Sequence, residues 1–424
     1  MNSSTDAPSL GRTARNGTAM TVMTAVFFMW GLITSLNDVL IPHLKALFTL
    51  NYAQVMLVQF TFFGAYFIMS LPSGKVLARY GYRTSIIVGL FVTGIGALLF
   101  IPAALVRWYP LFLFAFFVLA AGITLLQVAA NPYVTQLGRP ERASSRLNLA
   151  QALNSLGTAL PGYFGGLLIL STAVLGAAEL AKLAPAARIA YRLQQAHSVQ
   201  GPYLAIAIVL FLLAGVVWLA RLPKLENLHA ADTAEHHFYG EALRQRRVWF
   251  GMGAIFVYVG AEVTIGSFMI NYISLPIIGN IPEARAAFFV SLYWGGAMVG
   301  RFIGSAILTR IATRKLLVFN ACIAALLVIA TMATTGHVAM WTIVAIGLFN
   351  SVMFPNIFSL GVEDCGALTG TVSSLLVMAI VGGAVIPLLQ GVLADHIGLH
   401  HAFILPLLCY GYIIFYGLKG SRIT

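Results

Sequence analysis

Long apolar runs, separated by short polar stretches, make up most of this chain and restrict what it can fold into. A helix that crosses a bilayer needs about 20 mainly apolar residues. In lipid the backbone N–H and C=O groups must be bonded within the segment, which favours helices over open strands. The sequence therefore predicts an all-α membrane protein with twelve transmembrane helices. Their predicted limits are 20–43, 53–77, 84–105, 109–137, 147–172, 200–221, 248–274, 284–309, 315–334, 339–361, 369–394 and 399–418.

The composition excludes an ordinary soluble enzyme. Of the 424 residues 59% are hydrophobic and 9% are charged, whereas soluble domains carry about 25% charged residues. The net charge of +12 would suggest a nucleic-acid partner in a soluble protein. In a membrane protein it indicates basic loops on the cytoplasmic face, so we expect the lipid bilayer and no nucleic acid as the partner.

The distribution of basic residues predicts the orientation. With the N-terminus inside, most of the 25 Lys and Arg residues fall on the inner side, and Arg301 is counted among them. Cytoplasmic loops carry such an excess. We therefore expect a multi-pass protein of the bacterial inner membrane with both termini in the cytoplasm.

A polar stretch divides the apolar runs into six and six. Residues 222–247 are rich in charge and histidine, and we interpret them as a cytoplasmic linker rather than a metal site, because no cysteine or carboxylate cluster completes a ligand set. The predicted organisation is a cytoplasmic tail (1–19), a six-helix bundle (20–221), the linker (222–247), a second six-helix bundle (248–418) and a short tail (419–424).

The two sets of six runs resemble each other. Asn131-Pro132 and the residues up to Gly138 parallel the stretch from Phe354 to Gly361, and two further pairs of stretches match in the same order. Repeats of six helices about an axis along the membrane normal place a substrate site between the halves, near the middle of the bilayer. We therefore expect a major facilitator fold.

Asp38 stands alone as a carboxylate in the first apolar run. A charge at membrane depth is costly and normally faces a partner, a cavity or an ion path. We interpret Asp38 as a protonation site, or as a ligand for Na⁺; a structural hydrogen-bonding role near the outer helix end is the alternative. Glu262, in the seventh run, is the other acidic residue placed well inside a helix. It is a candidate for a second protonation site, a cation ligand or a hydrogen-bond acceptor for substrate hydroxyls, and a structural role is the alternative.

Amides in the apolar runs form the candidate substrate site. Gln151 and Asn154 are three residues apart and so share a helix face. Amides offer donors and acceptors together, which sugar hydroxyls require, although amides between helices also serve as structural contacts. The candidate substrate-binding residues are Trp30, Asn37, Gln127, Gln151, Asn154, Asn350 and Phe354, with the two aromatic rings available to stack on a pyranose.

Several blocks of this sequence resemble the fucose:proton symporter family of the major facilitator superfamily. The blocks include Trp30 to Asp38, Ala129-Ala130-Asn131-Pro132-Tyr133-Val134 and Arg146-Leu147-Asn148-Leu149-Ala150-Gln151. The resemblance runs nearly end to end. It implies that Asp38 takes part in proton-coupled sugar binding, that Gln151 and Asn154 contact the sugar, and that Trp30 matches a tryptophan which the family has one or two turns before that aspartate.

One position departs from that family. Fucose symporters have Glu before the Ala-Ala-Asn-Pro block, where this chain has Gln127, which cannot titrate. Together with Tyr258-Val259-Gly260-Ala261-Glu262, this substitution resembles the glucose/galactose transporter branch, which also contains N-acetylglucosamine carriers and sodium-coupled members. The resemblance favours a hexose substrate, with Glu262 supplying the second acidic group.

The sequence thus predicts a monomeric symporter that imports glucose or galactose with a proton, without a cofactor. The alternatives are an N-acetylglucosamine or fucose symporter, a sodium-coupled hexose symporter, and a membrane sugar sensor that does not transport. A drug:proton antiporter is disfavoured by the amide set. The sequence contains no Gly-x-x-x-x-Gly-Lys-Ser/Thr motif, which argues against transport driven by ATP.

Overall fold

The computed structural model describes residues 16–35, 52–106, 108–168, 183–220, 222–223 and 235–422. Throughout these ranges the regular elements are helices. In the N-terminal half (described residues 16–220) they are α1 (Asn16–Ser35), α2 (Tyr52–Val106), α3 (Tyr109–Gln136), a 3₁₀ turn (Pro140–Arg142), α4 (Ala143–Leu168) and α5 (Pro185–Leu219).

The connecting stretch and the C-terminal half (246–422) continue the series. The helices are α6 (Glu235–Arg244), α7 (Arg246–Ser274), α8 (Glu283–Ile307), α9 (Thr313–Ala333), α10 (Gly336–Asn350), α11 (Met353–Gly361), α12 (Thr369–Met378), α13 (Gly382–Ile397), α14 (Leu399–Ala402) and α15 (Ile404–Leu418). Short 3₁₀ turns lie at Gly366–Leu368, Ala379–Val381 and Gly420–Arg422. Helix α6 lies within the predicted linker.

The described residues of each of the twelve predicted apolar segments are mainly helical, so the all-α prediction is confirmed. By length and hydropathy nine helical stretches of the described residues qualify as membrane spans, and one of them, Phe60–Val106, covers 47 residues. That stretch covers residues 60–77 of the second predicted segment and the whole of the third. Helices α4 and α8 fall outside the nine, and both carry polar side chains that face the other half, as shown below.

The second and third predicted segments both lie in α2, which bends at a single residue. Gly81 has φ 74° and ψ 174° inside an otherwise continuous α2. Only glycine adopts such a backbone without a steric penalty on a Cβ. The connection expected around residues 78–83 is therefore reduced to a sharp bend at Gly81.

Small residues allow helices α1 and α4 to pack closely. A Cβ built on Gly31 would overlap the backbone carbonyl of Asn154, and one built on Gly157 would overlap the carbonyl of Phe28. Close backbone approach at small residues is the usual means of helix association in membranes. The two contacts fix α4 against α1, which places Gln151 beside Trp30.

The two halves meet along α2, α3 and α4 on one side and α8, α11 and α12 on the other. Large side chains fill the interior of each half, including Tyr133 and Tyr203 in the first and Tyr258, Tyr293 and Tyr410 in the second, all at most 1% exposed. The site described next lies between these two cores.

Candidate functional site

A cavity of about 140 Å³ lies between the halves. That is roughly ten times the 10–15 Å³ which one water molecule requires. The N-terminal half supplies Trp30 from α1, Gln127 from α3 and Gln151 from α4. The C-terminal half supplies the remaining lining residues, which are Val259, Glu262, Arg301, Phe354 and Ile380.

Two glutamines present unused amide atoms at this cavity. Gln127 is 4% exposed and donates through Nε2 to the hydroxyl of Tyr66 at 2.7 Å, which leaves its Oε1 without a partner among the described residues. Gln151 is also 4% exposed, and its Nε2 has no partner in the same part of the chain. A buried polar group without a partner costs about 1–3 kcal/mol. Two residues that line the cavity thus carry one unpaired acceptor and one unpaired donor, the two roles that a hydroxyl group can pair with.

Aromatic rings form the apolar part of the wall. Trp30 is 7% exposed and packs against Phe27, with ring centroids 5.3 Å apart. Across the cavity Phe354 packs against Phe358 at 6.2 Å in a stacked geometry and against Tyr258 at 6.5 Å. Rings held by neighbouring rings present rigid apolar faces beside the amides, an arrangement suited to a ligand with both hydroxyls and C–H faces.

Glu262 is held by the interior of the C-terminal half. Its Oε1 accepts a hydrogen bond from the hydroxyl of Tyr258 at 2.7 Å, and its backbone carbonyl accepts one from Tyr293 at 3.3 Å. Its side chain is 12% exposed. The carboxylate therefore reaches the cavity from a well-packed support.

Arg301 lies at the cavity and contacts both halves. Its Nη2 is 3.7 Å from Oε1 of Glu262, its Nε donates to the carbonyl of Ser351 at 3.0 Å, and its Nη1 donates to Oγ of Ser155 in the N-terminal half. The side chain is 11% exposed. The assignment of Arg301 to a basic cytoplasmic loop is thus wrong, because α8 continues past it to Ile307 and buries the guanidinium beside a carboxylate.

Prolines explain which backbone carbonyls are available in each half. Pro355 has no N–H, so the carbonyl of Ser351 lacks its usual helical donor and accepts from Arg301 instead. Pro132 lies inside α3 and frees the carbonyl of Val128 in the same way. That carbonyl accepts from Ser373 Oγ of the C-terminal half at 2.9 Å.

Polar contacts close one side of the cavity, where α4 begins. Ser145 and Ser305 each donate to the backbone carbonyl of the other, at 2.7 and 2.9 Å. Asn148 Nδ2 donates to Oδ1 of Asn356 at 3.0 Å, and both residues are fully buried. Ser144 also reaches across, to Ser359 at 2.9 Å. These bonds hold the halves together on the side of the N-terminus of α4.

The structure brings five of the sequence-predicted residues to one cavity, namely Trp30, Gln127, Gln151, Glu262 and Phe354. Two predicted residues lie elsewhere. Asn154 donates through Nδ2 to the carbonyl of Phe27 at 2.9 Å. Asn350 is fully buried, and its amide donates to Tyr293 at 2.8 Å and accepts from Tyr410 at 2.7 Å.

Asp38 and Asn37 lie outside the described residues, so their proposed roles stay predictions. Sequence reasoning missed the place of Arg301 in the cavity wall. The signal was available, since Arg301 lies in the interior of a predicted apolar segment rather than at its end. A basic residue at membrane depth indicates a partner or a cavity as strongly as an acidic one does.

Comparison with known proteins agrees with this architecture. The family model described as Major Facilitator Superfamily matches residues 22–386. The glucose/galactose transporter of Brucella abortus is 52% identical over 406 residues, covering 96% of this chain and 95% of that protein. The L-fucose-proton symporter of Escherichia coli is 35% identical over 410 residues, covering 95% of this chain and 92% of that protein.

A solved structure shows the same fold. The crystal structure of the transporter FucP in the outward conformation superposes with a TM-score of 0.88 at 34% identity, covering 95% of this chain and 98% of that one. These relatives are named as transporters, not as enzymes. A match over most of the sequence, with the same helical architecture, establishes that this chain belongs to the Major Facilitator Superfamily.

Proposed function

We propose that this protein is a secondary active symporter that imports a neutral hexose, glucose or galactose, together with protons. The observation that carries the proposal is that Gln127 and Gln151, which have the unpaired atoms Oε1 and Nε2, line the same cavity as the rings of Trp30 and Phe354. Sugar hydroxyls donate and accept together, and the C–H face of a pyranose packs on aromatic rings. The 52% identity to a protein named glucose/galactose transporter supports a hexose substrate.

Coupling is assigned to Asp38 and Glu262. Gln127 cannot titrate, so the acidic groups available at membrane depth are Asp38 in the first apolar run and Glu262 in the cavity wall. The relative named L-fucose-proton symporter supports protons as the coupling ion. In this scheme Asp38 and Glu262 take up protons from the outer side and release them to the cytoplasm when the sugar leaves.

Alternating access follows from the contacts between the halves. With both termini in the cytoplasm of the inner membrane, the side closed by Ser145 and Ser305 is the cytoplasmic side, and the state described is closed to the cytoplasm. Breaking those contacts while new ones form on the outer side would expose the cavity to the cytoplasm. One chain contains both halves of the site, so we propose that the monomer is the transporting unit.

Asp38→Asn tests the role of that carboxylate. The variant should lose uphill hexose accumulation driven by a proton gradient but retain exchange of labelled sugar between equal concentrations, because exchange needs no net proton movement. The two assays use the same proteoliposomes, so a folding defect would remove both activities. Full uphill accumulation by Asp38→Asn would refute the assignment.

A further inference from the structure

Arg301 joins the two halves of the protein in addition to pairing with Glu262. One guanidinium contacts the carboxylate of Glu262, the proline-freed carbonyl of Ser351 and the hydroxyl of Ser155. The first two contacts lie in the C-terminal half and the third lies in the N-terminal half. Arg301 therefore bridges the two halves. Its contacts in the C-terminal half determine whether its guanidinium can bond to Ser155 in the N-terminal half.

We propose that Arg301 is a positioning residue that makes separation of the halves depend on the charge of Glu262. While Glu262 is ionised, its carboxylate holds the guanidinium where Nη1 bonds to Ser155. When Glu262 takes up a proton, the attraction to Nη2 is lost, Arg301 leaves Ser155, and the cytoplasmic side opens more readily. The inference rests on the proposed function, in that Glu262 binds a coupling proton.

The location of the bridge supports this role. Ser145 and Ser305 join α4 and α8 near the end at which α4 begins, and Ser155 and Arg301 join the same two helices deeper in the protein, at the cavity. The bridge is thus the cross-half contact between these two helices that directly adjoins the proposed sugar site. The serine pair carries no charge and has no contact with Glu262 among the described residues.

The direction of the effect agrees with symport. With Glu262 deprotonated, the bridge between Arg301 and Ser155 would hold the carrier closed to the cytoplasm. A carrier without a proton would therefore seldom open its cavity to the cytoplasm. A protonated, sugar-loaded carrier would lack the bridge and open. After the proton leaves to the cytoplasm, the ionised Glu262 would draw Arg301 back and favour return to the state that is closed inward.

Few titratable groups face Glu262 in the described part of the chain. On its own helix Tyr258 donates to its carboxylate, and on α8 Arg301 and Tyr293 contact it. Tyr410 on α15 donates to the side chain of Asn350, and the backbone carbonyl of Asn350 lies within hydrogen-bond distance of the Tyr258 hydroxyl, so Tyr410 is linked to Glu262 indirectly. Asp38 lies outside the described residues, so a variant at Asp38 is needed to separate its titration from that of Glu262.

The test measures the distance between two spin labels on the cytoplasmic side. Glu141→Cys, beside the start of α4, and Arg310→Cys, beyond α8, are both exposed and lie in different halves. The labels are placed in a background from which Cys322, Cys365 and Cys409 are removed. Pulsed electron paramagnetic resonance then measures the distance distribution between the two labels. It gives the populations of the closed and open states, without sugar, at alkaline and mildly acidic pH.

Wild type should shift toward the longer distance on acidification. Ser155→Ala should raise the open-to-closed ratio at alkaline pH about tenfold or more, because a hydrogen bond to a charged group contributes about 1.5–3 kcal/mol. Glu262→Gln should be open to the same degree at both pH values. Arg301→Lys keeps the charge but cannot make the forked contacts, so it should resemble Ser155→Ala.

Ser145→Ala is the matched control. It removes a cross-half serine of α4 that does not contact the charged pair, so it should favour the open state at both pH values and keep the pH response. The proposal is overturned if Ser155→Ala matches wild type, if Glu262→Gln keeps the pH response, or if Asp38→Asn removes it while Glu262→Gln does not. Failure of wild type to transport any hexose would refute the proposed function and leave these distances a valid test of the bridge.

Discussion

Replacing Gln151 with leucine tests the proposed sugar site. Leucine fills similar space without an amide, so Gln151→Leu removes the unused donor Nε2 from the cavity wall. A neutral hydrogen bond contributes about 0.5–1.5 kcal/mol, and a sugar hydroxyl left without its partner in a closed cavity costs about 1–3 kcal/mol. The unpaired hydroxyl decides the cost, about 1–3 kcal/mol, so we expect the Kd for hexose to rise about 5- to 150-fold.

The chain offers a matched control for this substitution. Gln390 on α13 is fully buried, and neither its Oε1 nor its Nε2 has a partner among the described residues, but it does not line the cavity. Gln390→Leu makes the same chemical change away from the site. It should leave the hexose Kd unchanged and raise the melting temperature, since two unpaired buried polar atoms are removed.

Isothermal titration calorimetry of both variants in detergent or nanodiscs supplies the comparison. A Gln151→Leu protein that binds hexose as tightly as wild type would refute the assignment of its amide to the sugar. Equal weakening in Gln390→Leu would show that the loss reflects general packing rather than a lost contact. The melting temperature of each variant shows whether the fold is intact.

Three further substitutions test the packing and closure of the halves. Ser373→Ala removes the hydroxyl that donates to the carbonyl of Val128, which already lacks its helical donor because of Pro132, and should cost the closed state about 1–3 kcal/mol. The labels at positions 141 and 310 should therefore show a shift of about 5- to 150-fold toward the open state, and an unchanged distribution would contradict this. Gly157→Ala forces a methyl group into the carbonyl of Phe28 and should destabilise the protein by about 1–3 kcal/mol, measured by thermal unfolding, whereas Gly215→Ala has open space around it and should not. Tyr410→Phe removes the donor to Asn350 and should cost about 1–3 kcal/mol in the same assay; Tyr80→Phe, at an exposed position, should cost nothing measurable.

The helices could be predicted from the sequence because lipid requires them. A run of apolar residues that spans a bilayer has to satisfy its own backbone, and the predicted segments accordingly fall on helices. Interruptions were harder to predict. The bend at Gly81 and the break between α10 and α11 depend on how one glycine and one proline meet their neighbours in three dimensions.

The candidate site could be predicted in part. Trp30, Gln127, Gln151, Glu262 and Phe354 were found because polar or aromatic side chains at membrane depth need a reason to be there, and they share one cavity. The same reasoning cannot separate a ligand-facing amide from a structural one. Gln151 faces the cavity, whereas Asn350 is enclosed by tyrosines, and that difference depends on the rotation of each helix against its neighbours.

Arg301 shows the limit of counting charges. Assigning each basic residue to a loop treats the positive charges as orientation signals, although one guanidinium among them pairs with a carboxylate inside the protein. The partner is 39 positions away in the sequence, on a different helix. A sequence pattern within one helix does not contain that information.

Uptake of sugars into proteoliposomes under separate ion gradients tests the central claim most directly. Purified protein should accumulate labelled glucose or galactose against its concentration gradient when an inward proton gradient is imposed, and a sodium gradient alone should give no accumulation. N-acetylglucosamine and fucose in the same panel define the substrate. Accumulation driven by sodium alone, or binding of hexose without any uptake, would contradict a proton-coupled hexose symporter.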